Sequence, residues 1–385
     1  MSDDLLALAE RVVSRAQSGE ELEVFVARSS STNVKAYEGA VEAFTSAQSM
    51  GVGIRVIVDG RQGFAFAGTL DDDVVATTLA DARDNVRYSE FDEFVGLARP
   101  DGVVPVAQEL WMDEVVTFPN ERKIELAIEL EQRVRGADAR ISGIRSSSFS
   151  DSAGESAVAT STGIATYSRA TFCSLSITAL ARDNGETTVG NGHHLARRPS
   201  ELDMAHAADD AVLRATRLLG AKKPASQRIT VVLEPRLASI IMGIVGGTLG
   251  GDAVSKRRSP FADRMGEVIA APLLTIIEDP TDARSFSADS HDGEGLACRP
   301  TTLVSDGVLQ GFLHNTYTAR RMGVSSTASA VCGVRSTPGV GAVALRMVPG
   351  TVAADTLLAS IDSPCRGSIR GSTPSAAISR SVSRA

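Results

Sequence analysis

Apolar residues recur at helical spacing from Leu5 to Ala16, and polar residues from Ser14 to Glu20, with Gly19, end the run. A first helix is predicted there. From Leu22 the pattern shortens to β-like runs at Leu22–Ala27, Asn33–Tyr37, Val41–Thr45 and Gly51–Val58, the last alternating through Ile54, Val56 and Val58. Asp59-Gly60 supplies the positive-φ pair of a hairpin turn, and residues 63–68 return as a strand. Thr69 and the acids Asp71, Asp72 and Asp73 then open a helix to about Arg87, the carboxylates suiting the positive end of its dipole.

Residues 89–119 contain Pro100, Pro105 and Pro119 with little periodicity and read as a connection. Asn120–Val134 resumes helical spacing. Arg140–Phe149 and Ala157–Arg182 alternate Ser and Thr with apolar residues, as an antiparallel sheet with one solvated face does. Glu201–Leu219 is a further amphipathic helix. Beyond Pro224, strands are predicted at Ile229–Leu233, Leu273–Ile277 and Thr301–Phe312, the last broken by an Asp306-Gly307 turn. The fold class is therefore α+β: an N-terminal region of antiparallel sheets flanked by helices, then a mostly β C-terminal domain. The expected divisions are residues 1–100, 101–222 and 225–362, with an aberrant tail at 363–385.

The chain has 385 residues and a net charge of −8. That length exceeds a single typical core, and the acidic balance argues against a nucleic-acid footprint. No basic leader precedes an apolar run and no stretch approaches the ~20 apolar residues of a membrane span, so a cytoplasmic protein is expected. Cys173, Cys298, Cys332 and Cys365 form no CxxC pair and read as buried thiols.

Candidate chemistry centres on residues 236–256. Two His ligands four residues apart lie within about 40° on a helix, whereas five residues separate them by about 140° and require the helix to end or rewind between them. Val245, Gly246, Leu249, Gly251, Asp252 and Lys256 resemble the frame of the TldD/PmbA metallopeptidases, whose active members carry His-Glu-x-x-x-His, a Leu-x-Gly-Asp stretch and a nearby Lys. In that frame the ligand, base and ligand positions hold Met242, Gly243 and Gly247, which makes this a degenerate metallopeptidase helix. Zinc needs about three protein ligands and its water needs a base, which a thioether and two glycines do not provide. Residues 259–261, 271–275, 279–282, 292–295 and 311–319 extend the resemblance over most of the chain.

The resemblance implies the PmbA (TldE) branch: a non-catalytic subunit of a heteromeric metalloprotease that processes or degrades unfolded peptides. It implies no cofactor in this chain, zinc in a TldD-type sister subunit, and an extended peptide as substrate. Neither nucleic acid nor membrane is expected, and a homo-oligomer is the expectation where the sister is absent. Asp292, Glu294, His314 and Asn315 are the substrate-positioning or structural candidates. Two alternatives are a metallopeptidase with ligands drawn from His291, Glu294, His314 or Cys332, and a regulatory binding module without protease activity, acting on a target such as a topoisomerase.

Other features have simpler readings. His193 and His194 point apart on any regular backbone and read as a solvated loop. The glycines from Gly243 to Gly251 follow a strand, yet no GK[ST] follows them, so a phosphate loop is disfavoured. Ile240, Ile241, Ile244, Val245 and Leu249 are expected to form one apolar helix face, with the glycines admitting a second backbone. The tail from Ser363 has seven Ser, four Arg and no acid. Shifting the reading frame from the Pro374 codon can yield a segment resembling the family's C-terminus, so a frameshifted or truncated end is expected.

Overall fold

The computed structural model describes residues 3–361 apart from Pro224, Gln227 and Ile229, together with the backbone of residues 365–367. Helix α1 (Asp3–Val13) leads into strands β1 (Glu21–Tyr37), β2 (Ala40–Val58) and β3 (Arg61–Ala67), then helix α2 (Asp72–Val86). After the proline-bearing connection come α3 (Asp113–Thr117), α4 (Asn120–Ala137), β4 (Ile141–Thr160), β5 (Ala165–Asp183), β6 (Glu186–Ala196) and α5 (Met204–Thr216).

These strands form a single antiparallel sheet in the order β3-β2-β1-β4-β5-β6. Its central seam is β1 against β4, in register from Glu23 opposite Thr160 to Ala36 opposite Ser147. The sheet therefore runs unbroken across the proline-rich connection. The two runs predicted within residues 21–37 are one strand, because Arg28–Thr32 keeps its backbone ladder while its polar side chains find partners. Arg28 meets Glu155 at 2.6 Å and Asp4 at 2.8 Å, and the Thr32 amide donates to Asp151. His193 and His194 lie on β6 rather than in a loop. Their side chains alternate across the strand as its pleat requires, and His194 Nδ1 accepts from the Asp203 amide at 3.1 Å.

Side-chain alternation sorts the sheet into two faces. Even-numbered Leu22, Val24, Val26, Val34 and Ala36 of β1 are buried beneath helices. α1 and α2 cover one half through Leu8, Val12, Val75 and Leu79. α4 and α5 cover the other through Leu130, Val134, Ala207 and Ala211. The alanine face of α5 lies so close to β6 that a side chain at Gly190 or Gly192 would strike the Ala211 or Ala207 carbonyl. At the β1–β2 turn, Glu131 of α4 accepts the Glu38 and Gly39 amides at 2.9 and 3.0 Å. Beyond that turn, Ala40–Met50 is exposed throughout, since β3 pairs with β2 only from Val52 onward.

The C-terminal unit packs on the opposite face of the sheet. It contains β7 (Val231–Leu233), α6 (Pro235–Thr248), α7 (Gly251–Ser255), β8 (Ile276–Glu278), β9 (Thr301–Ser305), β10 (Val308–Leu309), α8 (Thr316–Met322), β11 (Ala330–Gly333), β12 (Ser336–Val340), β13 (Leu345–Met347) and α9 (Ala354–Ala359). A four-stranded sheet in the order β10-β9-β8-β13 surrounds a core of Leu249, Ile276, Leu303, Leu309 and Leu313. The backbone at Cys365–Gly367 pairs parallel with β7, a strand that the tail's composition did not announce. The expected frameshift, from Pro374 on, lies outside the described residues.

The connection fastens the two halves together. Gln108 donates to the Pro280 and Asp289 carbonyls at 3.1 and 2.9 Å, Tyr317 donates to Asp92 at 2.8 Å, and Arg320 donates to the Val95 and Leu97 carbonyls. Among the described residues no helix is long and apolar enough to cross a membrane.

Candidate functional site

Helix α6 begins with Pro235 in its first turn, where a missing N–H costs nothing. It runs unbroken through Thr248, without the local rewinding that an HExxxH site requires. Met242 packs against the C-terminal core, while Gly243 and Gly247 are exposed and no described residue lies within 4 Å of the position a Cβ would take at either. The three positions thus offer no imidazole or carboxylate, and they do not converge. They do not fit a zinc ion. Among the described residues, no group of three or more His, Cys, Asp or Glu side chains could hold a metal.

The apolar face expected on α6 is divided. Val245 and Leu249 join Met242 in the core, and Gly246 fits against Leu345 and Ala342. Ile240 and Ile244 point outward, 52 and 53 % exposed, in one stripe with Gly243 and Gly247. Asp252 on α7 pairs with Lys256 at 2.7 Å on the surface.

The other predicted residues gather where the C-terminal unit meets the sheet. Asp292 accepts the Glu294 and Leu296 amides on one oxygen and the Ala330 amide on the other, each at 3.0 Å. Burial and the neighbouring Glu294 nevertheless raise its pKa to about 7. Glu294 accepts from the Thr316 amide at 2.9 Å and the Thr316 hydroxyl at 2.7 Å, at the start of α8, and lies 3.9 Å from Arg55. Asn315 caps that helix: its side-chain oxygen accepts the Thr318 amide at 2.9 Å, and its Nδ2 donates to the Pro338 carbonyl. His314 is buried, its Nδ1 3.2 Å from the Thr318 hydroxyl, its carbonyl accepting from Ser326 and Thr327, and its pKa lowered by burial. These contacts organise loops and a helix start.

A cavity of about 240 Å³ opens between the sheet and the C-terminal unit. Phe25, Ser156, Val158, Thr166 and Ser168 line it from the sheet. Glu278, Asp289, His291, Asp292, Cys298 and Cys332 face it from the other side. Burial pushes the Cys332 thiol up to about 12 and the Cys298 thiol up as well, so neither is a ready nucleophile. Ser168 donates to Asp289 at 2.7 Å across the interface. The sequence reading missed Glu278 and Asp289, and it missed the Glu23–Arg55 pair beside the cavity. For Glu23, Arg55 and Glu278 one signal was present, a charged residue within or ending an otherwise apolar strand run, whereas Asp289 lies in a polar loop that gave none.

Residues 22–86 match the PmbA/TldA metallopeptidase domain 1, residues 114–219 its central domain and residues 226–365 its C-terminal domain. The chain belongs to the PmbA/TldD metallopeptidase family. It is 26 % identical over 309 residues to metalloprotease PmbA of Escherichia coli O157:H7, spanning 80 % of this chain and 69 % of that one. A metalloprotease TldD homolog of Haemophilus influenzae is 28 % identical over 297 residues, spanning 72 and 59 %. The crystal structure of TldE from Thermococcus kodakarensis shares the fold, with a TM-score of 0.83 at 20 % identity over 94 % of this chain and 80 % of that one.

Proposed function

We propose that this chain is the non-catalytic subunit of a two-component metalloprotease of the TldD/TldE type, acting on unfolded peptides in the cytoplasm. The observation that carries the reading is α6: the family frame is kept around Met242, Gly243 and Gly247, while the side chains there offer no imidazole ligand and no base. Proteolysis then falls to a zinc-bearing sister, and this chain completes the chamber that holds the substrate. The Ala40–Met50 edge of β2 supports a role in peptide binding. Among the described residues its backbone groups have no strand partner beyond β1, which is the arrangement to which an extended peptide adds. The outward stripe of Ile240, Gly243, Ile244 and Gly247 offers the sister a surface that a backbone can approach closely.

Co-purification with an HExxxH-bearing sister, followed by peptide-cleavage assays of each chain alone and of both together, tests the proposal. Cleavage that needs both chains, with zinc only in the sister, is the expected result. Cleavage by this chain alone would overturn it.

A further inference from the structure

We propose that the cavity between the sheet and the C-terminal unit binds a primary ammonium group carried on an alkyl chain, as at the end of a lysine side chain. The inference is independent of the subunit reading. Its starting point is Glu278, at the end of β8 and 1 % exposed. Glu278 Oε1 accepts the Val343 and Ala344 amides, each at 2.8 Å, whereas Oε2 is buried at the cavity wall with no hydrogen-bond partner among the described residues. Burial raises the Glu278 pKa because an unpartnered carboxylate oxygen is costly there, and a cation that supplied the missing donor would restore the charged form.

A second acceptor stands unused in the same wall. His291 Nδ1 is buried without a partner among the described residues; burial lowers the pKa of this imidazole and favours its neutral form, in whose Nε2–H tautomer Nδ1 accepts. Neutral imidazole offers one lone pair. Asp289 adds a third polar wall, and the residues lining the cavity include no Lys or Arg. The lining residues bring hydroxyl donors such as Ser156 and Thr166 but no cation to set against these carboxylates, and an ammonium supplies a charge and three donors on one small atom. Phe25 and Val158 from the sheet, with Val331 of β11, present apolar surface suited to methylenes. At about 30 Å³ per water, the cavity has room for roughly eight water-sized groups, enough for an aminobutyl chain and residual water.

Calorimetric titration of the full chain with Nα-acetyl-lysine methylamide and with its norleucine counterpart, which lacks only the ammonium, tests this directly. The lysine compound is expected to bind at least about tenfold tighter. Glu278→Gln keeps an oxygen for the two amides but removes the charge, and is expected to abolish most of that preference. Ser156→Ile narrows the cavity from a strand position that favours β-branched residues, and is expected to block binding with the circular dichroism spectrum unchanged. Should Glu278→Gln fold poorly, the norleucine comparison and Ser156→Ile decide the matter. Equal affinity for the two compounds, or heat from neither up to roughly 10 mM, would overturn the proposal. So would displacement of the lysine compound by stoichiometric zinc or magnesium, since the cavity would then be a metal site.

Discussion

Arg55 on β2 grips Glu23 on β1 through two donors, Nε at 2.8 Å and Nη2 at 2.7 Å, with both side chains almost fully buried between the sheet and the C-terminal unit. Burial works against the Arg55 charge, yet the Glu23 carboxylate outweighs it and the guanidinium pKa is raised. Removing one partner strands the other. Arg55→Leu or Glu23→Leu is expected to cost about 3–5 kcal/mol, and replacing both is expected to cost less than the sum. Urea denaturation of the two single variants and the double variant measures this.

Asn315 caps α8 with its side chain. Asn315→Ala is expected to cost about 0.5–2 kcal/mol at the cap, and Asn315→Asp keeps that acceptor but loses the Nδ2 donor to the Pro338 carbonyl, so its cost should grow as pH rises and the buried carboxyl ionises. Thermal melts distinguish the cap from a general packing effect, since only Ala removes the acceptor.

The glycines of α6 divide into two kinds. Gly243 and Gly247 face open space, so Ala at either is expected to stabilise the isolated chain by about 0.5–1 kcal/mol. Gly246 fits against Leu345, and Ala there is expected to destabilise. If the outward stripe meets a sister subunit, the Gly243→Ala and Gly247→Ala variants weaken the complex while raising the melting temperature of the free chain. Pull-down and calorimetry on the same variants separate the two effects.

Asp292 links stability to pH. Its carboxyl has a folded-state pKa of about 7, above its ordinary value of 3.8, through burial and the adjacent Glu294. The folded state therefore holds a proton that the unfolded chain has released, and this contribution is complete below about pH 4 and lost as pH rises through about 7. Burial shifts Glu278 and Glu294 in the same direction. Asp292→Asn should flatten the fall in stability between about pH 4 and 7. It should also lower stability at pH 5, because the Ala330 amide loses its acceptor. Urea midpoints of both proteins across that range provide the check.

Installing Met242→His, Gly243→Glu and Gly247→His together is expected to give neither tight zinc binding nor peptide cleavage. Position 242 faces the core and position 247 faces solvent on a continuous helix, so the two imidazoles would diverge. Metal analysis after dialysis, with cleavage assayed in parallel, would detect the contrary.

Much of the fold was legible in the sequence because periodicity and turn chemistry act locally. Asp59-Gly60 and Asp306-Gly307 adopt the positive φ that those pairs suggest, and α2 and α4 lie where apolar spacing put them. What stayed hidden depended on partners distant in the chain. Arg28–Thr32 and Ser150–Ser156 look like interruptions in their own segments, yet each completes the other's ladder across the β1–β4 seam. The same limit applies to the site. The degenerate frame on α6 could be read residue by residue, whereas the wall of Glu278, Asp289 and His291 exists only because a remote sheet closes over it. Helical spacing placed Ile240 and Ile244 on one apolar face with Val245 and Leu249, and only the packing of α6 shows that the face is divided and that these two point outward.

The β1–β4 seam also sets a timetable for synthesis. Glu23 pairs opposite Thr160, so the middle of the sheet must wait until the later strand has emerged from the ribosome. At about 5–20 residues per second that delay is roughly 7–27 s. During that interval β1 and β2 can form their hairpin alone, with one edge of β1 open and an apolar face covered only by α1 and α2. The nascent chain is most exposed to mispairing in that window, and a chaperone or an early-folding partner would have most to protect there.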